Sequence, residues 1–137
     1  MDGHPEAPER LAAVLDHLAR SGLADDLVRV EAPAAVTAED VLRVHPAALL
    51  DRLEALAPEA GFAHLDSDTW LAPDSLAAAR RASGCAVHGL EGILAGRFDR
   101  AFCAVRPPGH HAEAGLAMGF CFLNSVAIAA RRALEVH

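Results

Sequence analysis

Hydrophobic residues recur every three or four positions over much of this chain, and that spacing predicts several helices with a few short strands between them. Leucine and valine follow it from Pro8 to Leu18, and Ser21-Gly22 then gives the first helix an end. The same spacing predicts helices at 41–44, 47–56, 74–94 and 121–134, with Thr37 to Asp40 as the N-terminal cap of the first of these. Apolar runs at 27–30 and 101–105 lack this spacing and predict strands, the second of them buried.

Helices that alternate with short apolar strands are typical of an α/β fold built around a parallel sheet. Turn-forming residues at 58–72 and an expected loop at 106–119 separate the elements. The sequence contains no internal repeat, low-complexity tract or linker that would divide it into domains. Because two strands alone make a poor core, the pattern also indicates part of something larger.

Composition narrows the class of protein without naming its chemistry. The chain has 137 residues, of which 53% are hydrophobic and 4% aromatic, as expected of a globular protein rather than a disordered one. Its net charge of −7 argues against a nucleic-acid partner, because phosphate binding needs a basic surface. The acidic balance suits a cationic substrate such as a lysine-rich tail or a polyamine, although most acidic proteins bind neither.

Cysteine usage and the distribution of apolar residues predict a soluble cytoplasmic protein. Cys85, Cys103 and Cys121 form no CxxC pair, and an odd count fits a reducing compartment. The first residues lack the basic and apolar regions of a signal peptide. The most apolar stretch, 116–130, is interrupted by glycine and asparagine and is too short to span a bilayer, so no membrane partner is expected.

The main chemical signal is the pair His110-His111, which follows a Pro-Pro-Gly turn just after the second predicted strand. Imidazole titrates near neutral pH, and two such rings at a strand end suggest proton transfer. Neighbouring residues on an extended chain point to opposite sides, so a turn is needed to bring both rings to one site. From spacing alone, one buried structural histidine beside one exposed histidine is the favoured interpretation.

Other residues near this pair give weaker signals. Cys103 and Cys121 are zinc-compatible together with the histidines, but their spacing matches no common zinc motif, so no metal site is expected within the chain. Cys121 could also be a nucleophile, although a buried, inert thiol is favoured. Gly119 permits a backbone conformation that exposes its carbonyl group, or simply a turn at a helix start. Asp66 and Asp68 could be paired carboxylates, or a capping turn, which is favoured.

Four blocks of the sequence resemble the zinc-dependent histone deacetylase family, in particular its class II members and the bacterial acetylpolyamine and acetoin-utilisation relatives. HPEAPERL at 4–11 resembles the opening segment of the family, and Val44-His45 resembles a short motif at a helix end. LDSDTW at 65–70 resembles the loop before the family's long helix. The most specific match is RPPGHHAEAGLAMGFCFLNSVAIAAR at 106–131.

The resemblance implies a three-layer α/β/α domain of the arginase/deacetylase type that hydrolyses the acetyl amide of a lysine side chain or a polyamine. A zinc-bound water would attack the acyl carbon. His111 would be the general base and acid, and His110 its electrostatic partner. The residues implied to contact the substrate are Gly119 by its carbonyl group, Phe120 as a wall of the acyl tunnel, and Ser67 or Asp68 at the pocket rim.

The sequence also departs from the family. The family's zinc ligands lie in a later DxDxHxxNG-like segment and at a further aspartate, and this chain contains no such segment. It has no tyrosine, the residue that most members use at the oxyanion, and the family's first strand before the HPE segment is missing. We therefore expect residues 1–137 to be the N-terminal portion of a deacetylase-like catalytic domain that binds zinc only when complete.

Two alternative hypotheses stay open beside an inactive fragment of a deacetylase. The chain could be a non-catalytic deacetylase-like module that binds a partner or an acetylated ligand. It could also be a metallohydrolase of the arginase group, although the RPPGHH and GFCF blocks favour the deacetylase branch. An incomplete domain would expose apolar surface, so self-association into homo-oligomers is expected.

Overall fold

Helices make up most of the fold in the computed structural model, which describes residues 4–31 and 33–136. They are α1 (Glu9–Arg20), α2 (Ala38–Leu42), α3 (Ala47–Leu56), α4 (Ser75–Leu94) and α5 (Ser125–Val136). A short 3-10 helix, Leu23–Asp26, follows α1. Strands β1 (Ala63–His64) and β2 (Trp70–Leu71) pair as an antiparallel hairpin between α3 and α4.

The hydrophobic core is built from α2 to α5, the hairpin and the segment just before α5. Its largest fully buried apolar residues are Val41, Leu53, Leu71, Leu123 and Ile128. Full burial of one such side chain contributes about 1.5–3 kcal/mol, so this core is the main source of stability. Among the described residues, no helix is both long and apolar enough to cross a membrane.

Helix α4 is the central scaffold, and its most extensive helix contact is with α5. Small residues on α4 let neighbouring segments approach closely. Ser83 is fully buried, and its Oγ lies 3.0 Å from Ser125 Oγ at the start of α5. A β-carbon on Gly84 would lie 2.1 Å from the carbonyl oxygen of Ala34, so only glycine lets the chain pass here.

An ion-pair network joins α2, α4 and α5 at the edge of the core. The carboxylate of Asp40, a residue only 8% exposed, accepts hydrogen bonds from Thr37 Oγ1 at 2.6 Å and from Arg43. Arg132 on α5 lies 3.9 Å from Asp40 and donates to Glu91 on α4 at 3.0 Å. A buried carboxylate without partners would be strongly destabilising, so this network holds the three helices in register.

One carboxylate fastens the N-terminal segment to the segment before the histidine pair. Glu6 accepts a hydrogen bond from Arg106 Nε at 2.9 Å and forms an ion pair with Arg10 at 3.1 Å. Arg106 also donates to the backbone carbonyl of Glu6 at 2.9 Å, and Arg10 donates to that of Val105 at 3.0 Å. These polar contacts hold the start of α1 in place, although α1 buries none of its own residues.

The helices predicted from hydrophobic spacing are confirmed at α1, α3 and α4. Thr37 caps α2, as predicted, by accepting a hydrogen bond from the backbone N–H of Asp40 at 3.1 Å. Helix α2 ends at Leu42, earlier than predicted. Gly96 follows α4 with φ of +66°, a left-handed conformation that ends a helix at little cost for glycine.

The predicted helix start at Cys121 is wrong, because α5 begins at Ser125. Asn124 caps it, since its Oδ1 accepts a hydrogen bond from the backbone N–H of Ala127 at 3.0 Å. The apolar residues before this cap are buried in the core without being helical. The hydrophobic pattern therefore predicts correctly that these residues are buried, but it predicts the wrong secondary structure for them.

The two predicted strands, 27–30 and 101–105, are also wrong, because neither segment forms a strand. The second is not buried either: Phe102 is 73% exposed, and Val28 in the first is 86% exposed. A strand needs a hydrogen-bonded neighbour, and the only sheet within residues 4–31 and 33–136 is the β1–β2 hairpin. The expected parallel sheet is therefore not formed by the described residues.

We expect these exposed apolar segments to drive the isolated chain into oligomers, aggregates or a molten state, because apolar patches favour contact with other surfaces. Phe102→Asp should raise the fraction of monomer in sedimentation velocity at equal concentration. Ala12→Asp adds the same charge at an exposed position of α1 and should change that fraction little. A monomeric wild-type chain with a sharp cooperative melt would show that the exposed segments do not cause association.

Candidate functional site

His110 and His111 lie side by side on a surface loop between Gly109 and the tight turn at 118–121. Their ring centroids are 4.3 Å apart and the ring planes are inclined by 53°. Both residues are exposed, so the favoured interpretation of one buried and one exposed histidine is wrong. The loop instead places the two imidazoles next to each other on the surface.

Gly109 holds the start of this loop against the beginning of α5. It is buried, and a β-carbon there would lie 2.5 Å from the carbonyl oxygen of Leu123 and 2.7 Å from the amide nitrogen of Ser125. Any other residue would push the loop away from the helix. Beyond the histidine pair, Ala112 accepts a hydrogen bond from Asn124 Nδ2 at 2.8 Å, so the loop is held on both sides of the pair.

His45 anchors the loop that carries the pair, although its sequence pattern indicated only a helix end. It is fully buried, its Nδ1 donates to the carbonyl oxygen of Ala114 at 2.9 Å, and its Nε2 accepts from the backbone N–H of Asn124 at 2.9 Å. This pairing requires a neutral imidazole with its proton on Nδ1. The Val44-His45 motif was the only signal in the sequence, and it could not reveal partners 69 and 79 residues away.

Gly119 and Phe120 form the centre of a tight turn that packs on His111. Met118 and Cys121 exchange two backbone hydrogen bonds of 3.0 Å, and φ is +58° at Gly119 and +66° at Phe120. Positive φ at both central residues matches a type I′ turn, so this is not the start of a helix. A β-carbon on Gly119 would lie 2.9 Å from His111 Cβ, so only glycine lets the turn approach the imidazole.

The thiol of Cys121 connects this turn to the histidine. The backbone N–H of His111 donates to Cys121 Sγ at 3.4 Å, and the thiol donates to the carbonyl oxygen of Gly119 at 3.3 Å. Cys121 is fully buried, and burial raises the pKa of its thiol. A buried neutral thiol fits the favoured structural role rather than that of a nucleophile. The Gly119 carbonyl keeps a second lone pair for another donor.

Phe120 is the one non-glycine residue with positive φ in the part of the chain that the structure describes. Such a conformation costs roughly 1–2 kcal/mol for a residue with a β-carbon. Its backbone N–H donates to Thr69 Oγ1 at 3.1 Å, and its ring meets His4 edge-on with the centroids 4.9 Å apart. These contacts fix both the backbone and the ring of the residue predicted to line the acyl tunnel.

Ser67 and Asp68 are exposed in the turn between β1 and β2. Asp68 and Phe120 line the same cleft, which has a volume of about 430 Å³. The histidine pair is not part of the lining of this cleft. The structure therefore brings Asp68 close to the Gly119 turn, and it brings that turn to His111, but it does not combine all the predicted residues in one closed pocket.

Asp66 gives the β1–β2 turn its shape, as the favoured capping interpretation predicts. Its Oδ1 accepts backbone N–H groups from Asp68 at 2.9 Å and from Thr69 at 2.6 Å. Burial raises the pKa of Asp66, but the hydrogen bonds from these amides outweigh it and hold the pKa below its ordinary value. The carboxylate is therefore a structural acceptor and not one of a pair of catalytic acids.

The donor side chains of the described residues do not gather into a metal site. Residues 4–31 and 33–136 contain no group of three or more histidine, cysteine, aspartate or glutamate side chains that could hold a metal ion. Zinc sites in proteins use three or four protein ligands. The described residues alone therefore do not fit a zinc ion.

Residues 4–137 match the family model described as the histone deacetylase domain. The chain belongs to the histone deacetylase family. The match begins at the HPEAPERL block and extends over the RPPGHH and GFCF blocks. It confirms the family that those blocks resemble.

Two relatives illustrate how much of a deacetylase this chain covers. It is similar to the histone deacetylase-like amidohydrolase of Pseudomonas aeruginosa, with 44% identity over 138 residues, 98% of this chain and 35% of the relative. It is also similar to a probable deacetylase of Archaeoglobus fulgidus, with 36% identity over 127 residues, 91% of this chain and 34% of the relative. The chain spans about a third of the length of these curated relatives.

A solved deacetylase domain has the same arrangement of elements. The crystal structure of the HDA15 HD domain matches with a TM-score of 0.89 and 34% sequence identity, over 97% of this chain and 38% of that chain. This match confirms the predicted fold class: the chain is part of an α/β domain of the arginase/deacetylase type. The two strands predicted at 27–30 and 101–105 are wrong for the described residues, but the α/β fold class that they indicated is correct.

We expect His45→Ala to lower the free energy of unfolding by about 1–3 kcal/mol, because it removes a fully buried side chain whose two ring nitrogens join Ala114 to Asn124. The measurement is denaturant unfolding of a chimera in which this chain replaces the matching third of the Pseudomonas relative. His17→Ala, at an exposed position of α1, is the matched control and should change stability by less than about 0.5 kcal/mol. Equal losses of stability in the two variants would show that His45 does not anchor the loop.

Proposed function

We propose that this chain carries the proton-transfer histidines and one wall of the acyl tunnel of a deacetylase that hydrolyses acetyl amides. The observation that carries the proposal is the close packing of the Gly119 turn on His111. This packing holds the Gly119–Phe120 turn against an exposed imidazole. Membership of the histone deacetylase family supports the reaction class, because the Pseudomonas relative is named an amidohydrolase.

His111 acts in this proposal as the general base that takes a proton from the attacking water. The oxygen of that water bonds to the acyl carbon, and the carbon–nitrogen bond then breaks. His111 returns the proton to the departing amine, so the products are acetate and a free amine. His110, whose ring centroid lies 4.3 Å from that of His111, is the electrostatic partner. The exposure of both rings supports access to a substrate.

The substrate side of the site is proposed from the turn and the hairpin. The carbonyl of Gly119 accepts the N–H of the substrate amide, and Phe120 packs against the acyl chain. Asp68 or Ser67 contacts the rest of the substrate at the rim. A net charge of −7 supports a cationic substrate such as a lysine-rich tail that bears acetyl-lysine, or an acetylpolyamine.

Zinc enters the proposal only for the complete domain. The described residues contain no suitable group of ligands, so no step above is assigned to a metal held by them. We propose that the zinc ligands belong to the part of a deacetylase domain that this sequence does not include.

The odd cysteine count without a CxxC pair supports a reducing compartment such as the cytoplasm.

The chain of 137 residues should bind zinc weakly and hydrolyse no acetyl-lysine reporter, because a zinc site needs three or four protein ligands. Equilibrium dialysis with zinc, followed by metal analysis and a fluorogenic turnover assay, measures both properties. Stoichiometric tight zinc together with turnover by this chain would contradict the assignment of the ligands to another part of the domain.

In the chimera with the Pseudomonas relative, His111→Ala should lower kcat by about 10²–10⁴-fold with KM largely kept, because a general acid and base acts in the transition state. His110→Ala should lower kcat less. Phe120→Ala should instead weaken binding or acyl-chain selectivity, since it removes a wall and leaves the proton transfer intact. Steady-state kinetics with acetyl-lysine and acetylpolyamine substrates distinguish these effects.

Thermal unfolding of the same variants separates chemistry from folding. If both histidine substitutions lowered the melting temperature and left kcat unchanged in the folded fraction, the two residues would be structural. A fully active His111→Ala variant would overturn its assignment as acid and base. A folded but inactive unmodified chimera would count against the proposed function itself.

A further inference from the structure

We propose that Thr69 is a positioning residue for Phe120 and that its hydroxyl group sets the acyl-chain selectivity of the site. The inference rests on the proposed function, in which Phe120 is a wall of the acyl tunnel. Thr69 lies at the end of the β1–β2 turn, 51 residues before Phe120 in the sequence. Its Oγ1 nevertheless accepts the backbone N–H of Phe120 at 3.1 Å, so the two segments meet at this atom.

Phe120 needs such a restraint because of its place in the turn. It occupies the second central position of a type I′ turn, where glycine is preferred because φ must be positive. Phe120 has φ of +66° and carries the penalty that its β-carbon imposes. A strained residue of this kind persists only when its surroundings hold it in place. The N–H of Phe120 takes no part in the pairing of Met118 with Cys121, so Thr69 is its partner.

Thr69 is itself fixed by its neighbours. It is fully buried, its backbone N–H donates to Asp66 Oδ1 at 2.6 Å, and its carbonyl accepts from Leu65 N–H at 2.9 Å. Its hydroxyl proton is directed to Asp68 Oδ1 at 3.1 Å. Because a hydroxyl has one proton and two lone pairs, it donates to Asp68 and accepts from Phe120 at the same time. The side chain therefore has one orientation that satisfies both partners.

This chain of hydrogen bonds connects the proposed rim with the proposed wall. Asp68 and Phe120 line the same cleft, and Thr69 is the buried link between them. The position of the Phe120 ring relative to the rim should therefore depend on the Thr69 hydroxyl. A shifted ring would admit acyl groups longer than acetyl, whereas the partners of the Thr69 hydroxyl are Asp68 and Phe120 and not the histidine pair.

The test is Thr69→Val in the chimera with the Pseudomonas relative, because valine keeps the shape of threonine and removes the hydroxyl. The ratio of kcat/KM for acetyl-lysine to that for butyryl-lysine should fall by about tenfold, the lower end of the discrimination that a hydrophobic pocket makes between groups that differ in length. Thr69→Ser, which restores a hydroxyl, should recover the ratio to within about twofold. The pH profile of kcat should be the same in all these variants.

Thr37→Val is the matched control, because Thr37 is the other threonine of the chain and its hydroxyl caps α2 through Asp40. The same substitution there should lower stability while the acyl ratio stays unchanged. An unchanged ratio in Thr69→Val, or an equal fall in Thr37→Val, would overturn the inference. So would a failure of Thr69→Ser to recover the ratio.

Amide hydrogen exchange at Phe120 separates this inference from the proposed function. In the folded chimera, Thr69→Val should speed the exchange of this amide by about tenfold, and Thr37→Val should not. If the unmodified chimera folds without turnover, the proposed function fails, and exchange at Phe120 still decides whether Thr69 positions it. Unchanged exchange would overturn the inference whatever the activity.

Discussion

The arrangement of the site depends on the buried imidazole of His45. Its two ring nitrogens bind two segments that are distant in the sequence, the carbonyl of Ala114 in the histidine loop and the N–H of Asn124 at the start of α5. Because the ring is fully buried, both of its nitrogens need partners within the protein, and these two contacts supply them. The exposed pair His110-His111 therefore has a defined position on the surface, although no core residue covers it.

Close backbone packing at two glycines also holds the histidine loop and the turn in position. Gly109 rests on the start of α5, and Gly119 rests on the ring of His111, each at a distance that no β-carbon permits. The turn at Gly119 then places Phe120 in a left-handed conformation. The hydrogen bond from its N–H to Thr69 Oγ1 helps to offset the energetic cost of that conformation. Glycine and strain occur together at the predicted site, as is common where function requires a particular backbone geometry.

The remainder of the fold shows how much an α/β domain depends on its sheet. The segments 27–30 and 101–105 have strand-like sequences, yet they stay exposed and unpaired in the described structure. Helices form here because their hydrogen bonds are internal, whereas a strand needs a neighbour. The chain matches 38% of a solved deacetylase domain at a TM-score of 0.89, so its helices share the arrangement of the matching part although the described residues form no parallel sheet.

The sequence by itself determined the helices with regular hydrophobic spacing, the family, and the residues of the most specific block. Helical hydrogen bonds and periodic burial are local, and the RPPGHH and GFCF blocks are contiguous, so both can be recognised from neighbouring residues alone. Only the tertiary structure decided that His45 anchors the loop, that α5 begins after Asn124, and that Thr69 meets Phe120. The contacts of His45 and Thr69 join residues tens of positions apart, and hydrophobic spacing carries no information about such contacts. The start of α5 depends on the cap at Asn124, which ends an apolar run that spacing alone would assign to the helix.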